Sequence, residues 1–332
     1  MRLALLTHEP FYPPSGGGSA EANYLVSELT RRGHEVHLFC PDFPDRDAVA
    51  ARFGITVHPF TGWEMGRYTR LRSLKYLAYP GALRRLVRRI ARDISFDAIL
   101  SQHAISAVAA GKLKADLDVP VVMNFLDFLT GFMESWPAWA MPRFVLRRLM
   151  AYELSLPKRH DADAVLTVSD ELARRFAETN YAADRLHPIL YGHDAKLFQP
   201  RTKNRGPGTV AMHGSFDTHH LGPIAIRAIT TIALDRPETH FLFIGRETDT
   251  VKKLAKRVFA AAPLAKFECT GFVPYSEVAE RLGQATVGII PYESSSGTHC
   301  AFVAKLVEYA ALGLPVVSTP LAGVKSFFGD EP

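Results

Sequence analysis

Lys305 and Glu308 stand three residues apart in the run Lys305-Leu-Val-Glu308-Tyr-Ala-Ala-Leu-Gly313-Leu-Pro-Val-Val-Ser-Thr319. Read as a helix, this spacing puts an ammonium and a carboxylate one turn apart on one face. Just upstream lies Tyr292-Glu-Ser-Ser-Ser-Gly297-Thr298-His-Cys300, a hydroxyl-rich loop broken by a glycine. Such a loop before a helix suits a diphosphate, and a carboxylate one to two turns in can accept from two ribose hydroxyls. The plainer alternative for Glu308 is a solvated residue on a surface helix. A second pattern opens the chain: His8-Glu-Pro-Phe-Tyr-Pro-Pro-Ser-Gly16-Gly17-Gly18-Ser19. Three glycines ahead of a helix let backbone approach an anion or a sugar and point N–H groups at it. With Glu21 at the third Gly/Ala position, the run is not a dinucleotide fingerprint. His103 and Asp127 each follow a candidate strand, where helix-terminal roles are the plain reading.

Short β-rich runs alternate with helical patterns along the chain and must position these groups. Strands are expected at Leu3–Thr7, Glu35–Phe39, Ile55–Pro59, Ala98–Ser101, Pro120–Asn124 and Ala164–Thr167. A second series is expected at Thr209–His213, His240–Ile244, Phe267–Thr270, Val287–Ile290 and Pro315–Ser318. Helices are expected at Ser19–Arg32, with Ser19 as N-cap, Glu21 in the positive first turn and Gly33 as stop, and at Ala104–Lys114, Asp170–Glu178, Gly222–Leu234 and Val303–Leu312. This alternation predicts α/β architecture with two Rossmann-like, doubly wound parallel sheets and a cleft between them. The polar, Pro/Gly-rich stretch from Phe198 to Gly208 reads as the linker, giving domains 1–203 and 204–332. Ligands of such sheets lie beyond the carboxyl ends of the strands.

The 332 residues, 47% hydrophobic and 22% charged, exclude a disordered or collagen-like chain. No apolar run is long enough for a membrane span, and the opening residues are too short an apolar run for a secretory signal. The cysteines Cys40, Cys269 and Cys300 are far apart, so a reducing cytoplasm is the expected setting. The net charge is +5, yet Arg67, Arg70, Arg72, Lys75, Arg84, Arg85, Arg88, Arg89 and Arg92 carry +9 with no acid among them, which leaves −4 for the rest. With Trp136, Trp139, Arg143, Arg147 and Arg148, this block suggests an anionic membrane surface as partner and a peripheral location. No nucleic-acid-reading motif accompanies the charge.

The opening pattern, ending Leu-x-x-x-Leu-x-x-Arg-Gly-His-Glu-Val, resembles the start of the retaining nucleotide-sugar glycosyltransferases of family 4, which have the GT-B fold. Asp161-Ala-Asp-Ala-Val-Leu-Thr-Val-Ser169, Tyr191-Gly-His-Asp-Ala-Lys-Leu-Phe-Gln-Pro200, Gly271-Phe-Val-Pro and the Lys305–Thr319 run resemble further segments of that family. The resemblance implies metal-independent transfer from a UDP- or GDP-sugar to a hydroxyl of a glycan or lipid-linked acceptor. It implies a donor site on Ser215, His220, Gly271, Val273, Gly297, Thr298, Cys300, Lys305 and Glu308, the last as the ribose-binding carboxylate. The acceptor falls near Gly16, Gly17 and Gly18, with His103 and Asp127 catalytic, and no cofactor is expected beyond the donor.

The chain departs from the family pattern in three places: Cys300 stands where the earlier Glu of the Glu-x7-Glu motif falls, Ser215 replaces an Arg, and Leu126 replaces a His. From these departures His213, His219, His220 and His299 are expected to lie where cations are missing, one or two of them serving as imidazolium beside Lys305. A zinc site is disfavoured by their irregular spacing. An impaired nucleotide-sugar binding protein and a sugar-nucleotide epimerase are the competing readings. The resembling enzymes continue beyond the position of Pro332, so a short or incomplete member is expected.

Overall fold

The computed structural model describes residues 1–14, 17–62, 73–139, 141–200 and 208–328. In the first half, strands form at β1 (Arg2–Leu6), β2 (Glu35–Pro41), β3 (Thr56–Phe60), β4 (Ala98–Gln102), β5 (Val121–Phe125), β6 (Ala164–Thr167) and β7 (Leu186–Pro188). They make one parallel sheet in the order β3-β2-β1-β4-β5-β6-β7. A sheet covered on both faces needs nearly continuous apolar strands, which Leu3-Ala-Leu-Leu supplies in β1. Its register sets Leu5 beside Leu38 on one side and Leu100 on the other. Strand β7 was not expected, because Leu-His-Pro has no apolar pattern and two of its residues are exposed.

Helix Gly17–Arg31 packs Ala22 and Val26, four residues apart, into a core with Leu5, Phe11, Val36, Leu38 and Cys40. Full burial of a Val or Leu of this kind contributes about 1.5–3 kcal/mol. Burial also pushes the Cys40 thiol up to about 12, so Cys40 acts as a small core hydrophobe and not as a nucleophile. Helix Ser73–Ile90 buries Tyr79, Leu83 and Val87 on one face and carries Arg84, Arg85, Arg88 and Arg89 elsewhere. The basic block is therefore not a uniform solvated face. Arg84 grips Asp116 through two bonds of 2.6 and 2.7 Å and holds that carboxyl below its ordinary value. Arg67, Arg70 and Arg72 lie outside the described residues.

The second half forms β8 (Thr209–His213), β9 (His240–Ile244), β10 (Lys266–Cys269), β11 (Val287–Ile290) and β12 (Val316–Ser318), parallel in the order β10-β9-β8-β11-β12. In both sheets the winding reverses next to the first strand, between β1 and β4 and between β8 and β11, and there a crevice opens at the carboxyl ends. The chain divides into one unit of Met1–Thr130 with Arg143–Ile189 and another of Gly131–Pro142 with Leu190–Pro332. Phe198, read from sequence as the start of the linker, is buried in the core of the second unit with Phe241 and Tyr309. Its ring gains more from that core than a linker position could return.

Candidate active site

Strand β8 is buried throughout and ends on His213. Nε2 of that imidazole lies 2.7 Å from Oε2 of Glu308, and Nδ1 lies 3.2 Å from the Tyr309 hydroxyl. The same hydroxyl accepts from the His213 backbone N–H at 3.3 Å. On the other side of the carboxylate, the Tyr275 hydroxyl donates to Oε1 at 2.7 Å. Glu308 belongs to helix Ala304–Ala311 and is only 5% exposed, which removes the surface-helix alternative. Burial pushes its carboxyl up, but the charge and hydrogen bond of His213, the Tyr275 bond and the Lys305 charge outweigh burial and hold it below the ordinary value. An ionised carboxylate has about four lone-pair sites, so this clamp leaves acceptor capacity for two neighbouring hydroxyls.

Gly214 follows with φ +103°, a conformation that L side chains rarely adopt, and a Cβ there would lie 3.0 Å from Nζ of Lys305. The bare backbone thus lets the ammonium lie against the loop, where Nζ donates to the Tyr292 hydroxyl at 2.9 Å. His219, His220 and His299 do not share this charge as the sequence led us to expect. Burial first and the Lys305 charge second push His219 down to about 4, so it is neutral at pH 7. His220 uses Nδ1 to accept the Asp217 backbone N–H at 3.3 Å, which requires that nitrogen to be unprotonated. His299 accepts the N–H of Ala322, the first residue of helix Ala322–Phe328, at 3.1 Å through Nδ1, and its Nε2 meets the Ser294 hydroxyl at 2.9 Å. The ligand-type atoms of Asp217, His219 and His220 come within 4.8 Å of one another, but the neighbouring Lys305 charge opposes a cation there.

The hydroxyl-rich loop contains a short helix, Ser296–Cys300, closed by a capping box between Ser295 and Thr298. The Thr298 hydroxyl donates to the Glu293 carbonyl at 2.7 Å, and Thr298 and Cys300 are fully buried. The Thr298 hydroxyl also meets the Ser295 carbonyl at 3.1 Å, so it is bonded within its own loop. The Ser296 N–H and hydroxyl donate to the Glu134 carboxylate at 2.5 and 3.0 Å. Gly297 lies against the Gly131–Phe132 backbone so tightly that any Cβ would strike the Phe132 nitrogen. Ser215 is half-buried after Gly214, while Gly271 pairs with Gly245 and Val273 packs on the second core.

In the first unit, polar side chains gather at the carboxyl ends of β4 and β5. Gln102 Nε2 donates to Glu21 Oε2 at 2.6 Å and to the Gly18 carbonyl at 2.8 Å, and Asn124 Nδ2 donates to Glu21 Oε1 at 3.0 Å. Burial pushes the Glu21 carboxyl up while these two amides pull it back. Glu21 is thus a half-buried tie between strand ends and not a dipole partner in the first turn. Ser19, expected as N-cap, is instead buried inside that turn, because the helix already begins at Gly17. His103 is buried with φ +64°, a strained value for a non-glycine that costs about 1–3 kcal/mol. A Cβ on Gly18 would lie 2.5 Å from its Nε2, and the His8 ring packs edge-on at 5.2 Å. Asp127 is half-buried just beyond β5, next to buried Leu126. Gly16 lies outside the described residues.

Residues 16–192 match the glycosyl transferase 4-like domain, and residues 208–331 match glycosyl transferases group 1. The chain belongs to the family 4 type glycosyltransferases. Its fold is GT-B, as solved structures bear out. HepE from Anabaena in complex with UDP and glucose aligns with TM-score 0.68 at 17% identity, over 98% of this chain and 82% of that one. Sucrose-phosphate synthase from Thermosynechococcus elongatus aligns with TM-score 0.75 at 15% identity over the same shares, 98% and 82%. WaaG, a glycosyltransferase involved in lipopolysaccharide biosynthesis, aligns with TM-score 0.66 at 15% identity over 99% and 84%. Comparison with curated protein sequences returns no match.

In this glycosyltransferase, Lys305, Glu308 and the loop after β8 come together as the sequence suggested, and His103 meets Gly18. Tyr275, Glu134, Gln102 and Asn124 were not expected at the site from the sequence, and His213 was expected only as a loop cation. A usable signal was present: Gln102, Asn124 and His213 are polar residues at the carboxyl ends of otherwise apolar parallel strands.

Proposed function

We propose that this glycosyltransferase moves a sugar, with retention and without a metal, from a UDP- or GDP-sugar to a hydroxyl of a glycan or lipid-linked acceptor in polysaccharide biosynthesis. The observation that carries this reading is the buried Glu308 carboxylate, held by His213 and Tyr275 one turn from Lys305. Glu308 would take the ribose hydroxyls. Lys305, with Ser215 and the glycine backbone at 214, would stabilise the charge growing on the leaving diphosphate. Gly271–Val273 would line the base. The acceptor would sit near Gly17, Gly18, His103 and Asp127. HepE is described with UDP and with UDP-glucose, which supports a nucleotide-sugar donor.

Thermal unfolding with UDP, GDP, ADP and their sugar conjugates, each with and without EDTA, tests the donor reading. A ligand at roughly 100 times its Kd adds about 2.7 kcal/mol, or several degrees. One nucleotide should raise the wild-type Tm equally with EDTA and leave Glu308→Ala unmoved; if none raises it, the reading fails. Binding without transfer would favour an impaired binding protein, and turnover of donor alone an epimerase.

The membrane reading draws on Trp136 and Trp139, 39% and 71% exposed, and on Phe144, Arg147, Arg148 and Tyr152, exposed on helix Arg143–Arg159. No helix among the described residues is long and apolar enough to cross a membrane. Vesicles rich in anionic lipid should retain the protein while neutral vesicles release it. Equal retention by both would remove this part of the proposal.

A further inference from the structure

The carboxylate of Glu308 is held from two directions. Tyr275, at the start of helix Tyr275–Leu282, reaches Oε1, and His213, at the end of β8, reaches Oε2. His213 is itself fixed twice by a single oxygen, since the Tyr309 hydroxyl meets both its backbone N–H and Nδ1. Tyr309 has no freedom to move: it is fully buried, and its ring lies where a Cβ on Gly288 of β11 would stand. The chain of contacts therefore runs from β11 through Tyr309 to the end of β8 and on to Glu308. An ionised carboxylate only accepts, so at 2.7 Å the imidazole nitrogen that faces it, Nε2, carries the proton and donates to Oε2.

We infer that His213 is a positioning residue that fixes the Glu308 carboxylate for two vicinal hydroxyls, and thereby sets the preference of this site for ribonucleotides over deoxyribonucleotides. The inference rests on the reading of Glu308 as the ribose partner. A carboxylate already locked in its bound rotamer loses little freedom when the hydroxyls arrive, whereas a loose one must be ordered at the expense of affinity. Removing one hydroxyl leaves a buried acceptor short of a partner, which is how a polar site rejects an analogue that lacks the group. Release of the carboxylate by loss of His213 lets it turn away and blunts that rejection.

Calorimetric titration with UDP, GDP and ADP, each beside its 2′-deoxy form, tests this on the whole chain. For whichever base binds, the wild type should favour the ribonucleotide at least about tenfold, the size of one hydrogen bond to a charged group. In His213→Leu, which keeps the volume, the ratio should fall below about threefold. His213→Gln, whose amide nitrogen reaches the place of Nε2, should restore it. A purely structural role for His213 would weaken both nucleotides alike and leave the ratio intact, which overturns the inference. If His213→Leu does not fold, Tyr309→Phe removes only the oxygen that fixes His213 and should lower the ratio at least about threefold; an unchanged ratio has the same overturning force. Glu308→Ala separates the two levels. A ratio that collapses there but not in the His213 variants sinks the positioning role alone, whereas a wild type without preference, or a preference that survives Glu308→Ala, sinks the ribose reading and this inference together.

Discussion

Replacing Glu308 with alanine is expected to weaken nucleotide binding by about two to four orders of magnitude, because two hydrogen bonds to a charged group, each worth about 1.5–3 kcal/mol, are lost. The loss should appear as a raised Kd in calorimetric titration, with transfer falling in parallel. The variant also leaves the Tyr275 hydroxyl and His213 Nε2 facing a void in a buried place, so its Tm should drop as well. Glu308→Gln distinguishes charge from shape: it keeps one acceptor for ribose and should recover most of the Tm but only part of the affinity. The carboxyl lies below its ordinary value, so wild-type binding should not weaken through this group between pH 8 and pH 5. A Glu308→Ala variant that binds nucleotide within threefold of wild type would refute the assignment.

The second large effect concerns Glu153, which the sequence hides in the middle of helix Arg143–Arg159. It is buried and accepts the Leu129 N–H at 3.0 Å, the Thr130 N–H at 2.8 Å and the Thr130 hydroxyl at 2.6 Å. It thus holds the turn that directly follows Asp127. Glu153→Ala strands those donors and is expected to cost about 2–4 kcal/mol, roughly 4–16 °C in Tm. Burial pushes the carboxyl up to about 7 against the three donated bonds. The folded state therefore holds this proton more tightly than the unfolded chain does. The resulting stability is fully present below the unfolded value near 4.5 and is lost as pH rises through about 7. Across that window the wild type should lose roughly 3 kcal/mol relative to Glu153→Gln, which has nothing to titrate. Equal pH slopes in thermal melts of the two proteins would show that Glu153 is ionised throughout.

Much of the scaffold was legible in the chain. Runs such as Leu3-Ala-Leu-Leu and His240-Phe-Leu-Phe-Ile announce parallel strands because a sheet covered on both faces demands continuous apolar side chains, and the expected strands lie within two residues of those found. Lys305 and Glu308 were legible for a similar reason: their partnership is set by helical spacing alone. Strand β7 was not, since Leu-His-Pro is held by its neighbour β6 and not by its own pattern.

The sequence by itself determined the class of fold, the family and the local geometry of groups close along the chain. Those depend on periodicity and on short-range spacing, which a linear string contains. Only the tertiary structure decided which charges are real and which polar groups are spent. His219 became neutral because folding buried it beside Lys305, and Thr298 spent its hydroxyl inside its own loop. Glu21 became a half-buried tie because Gln102 and Asn124, 81 and 103 residues away along the chain, lie beside it near the ends of their strands. Desolvation and long-range hydrogen bonds depend on what arrives from distant parts of the chain, and for that reason they fixed the chemistry of this site where spacing could not.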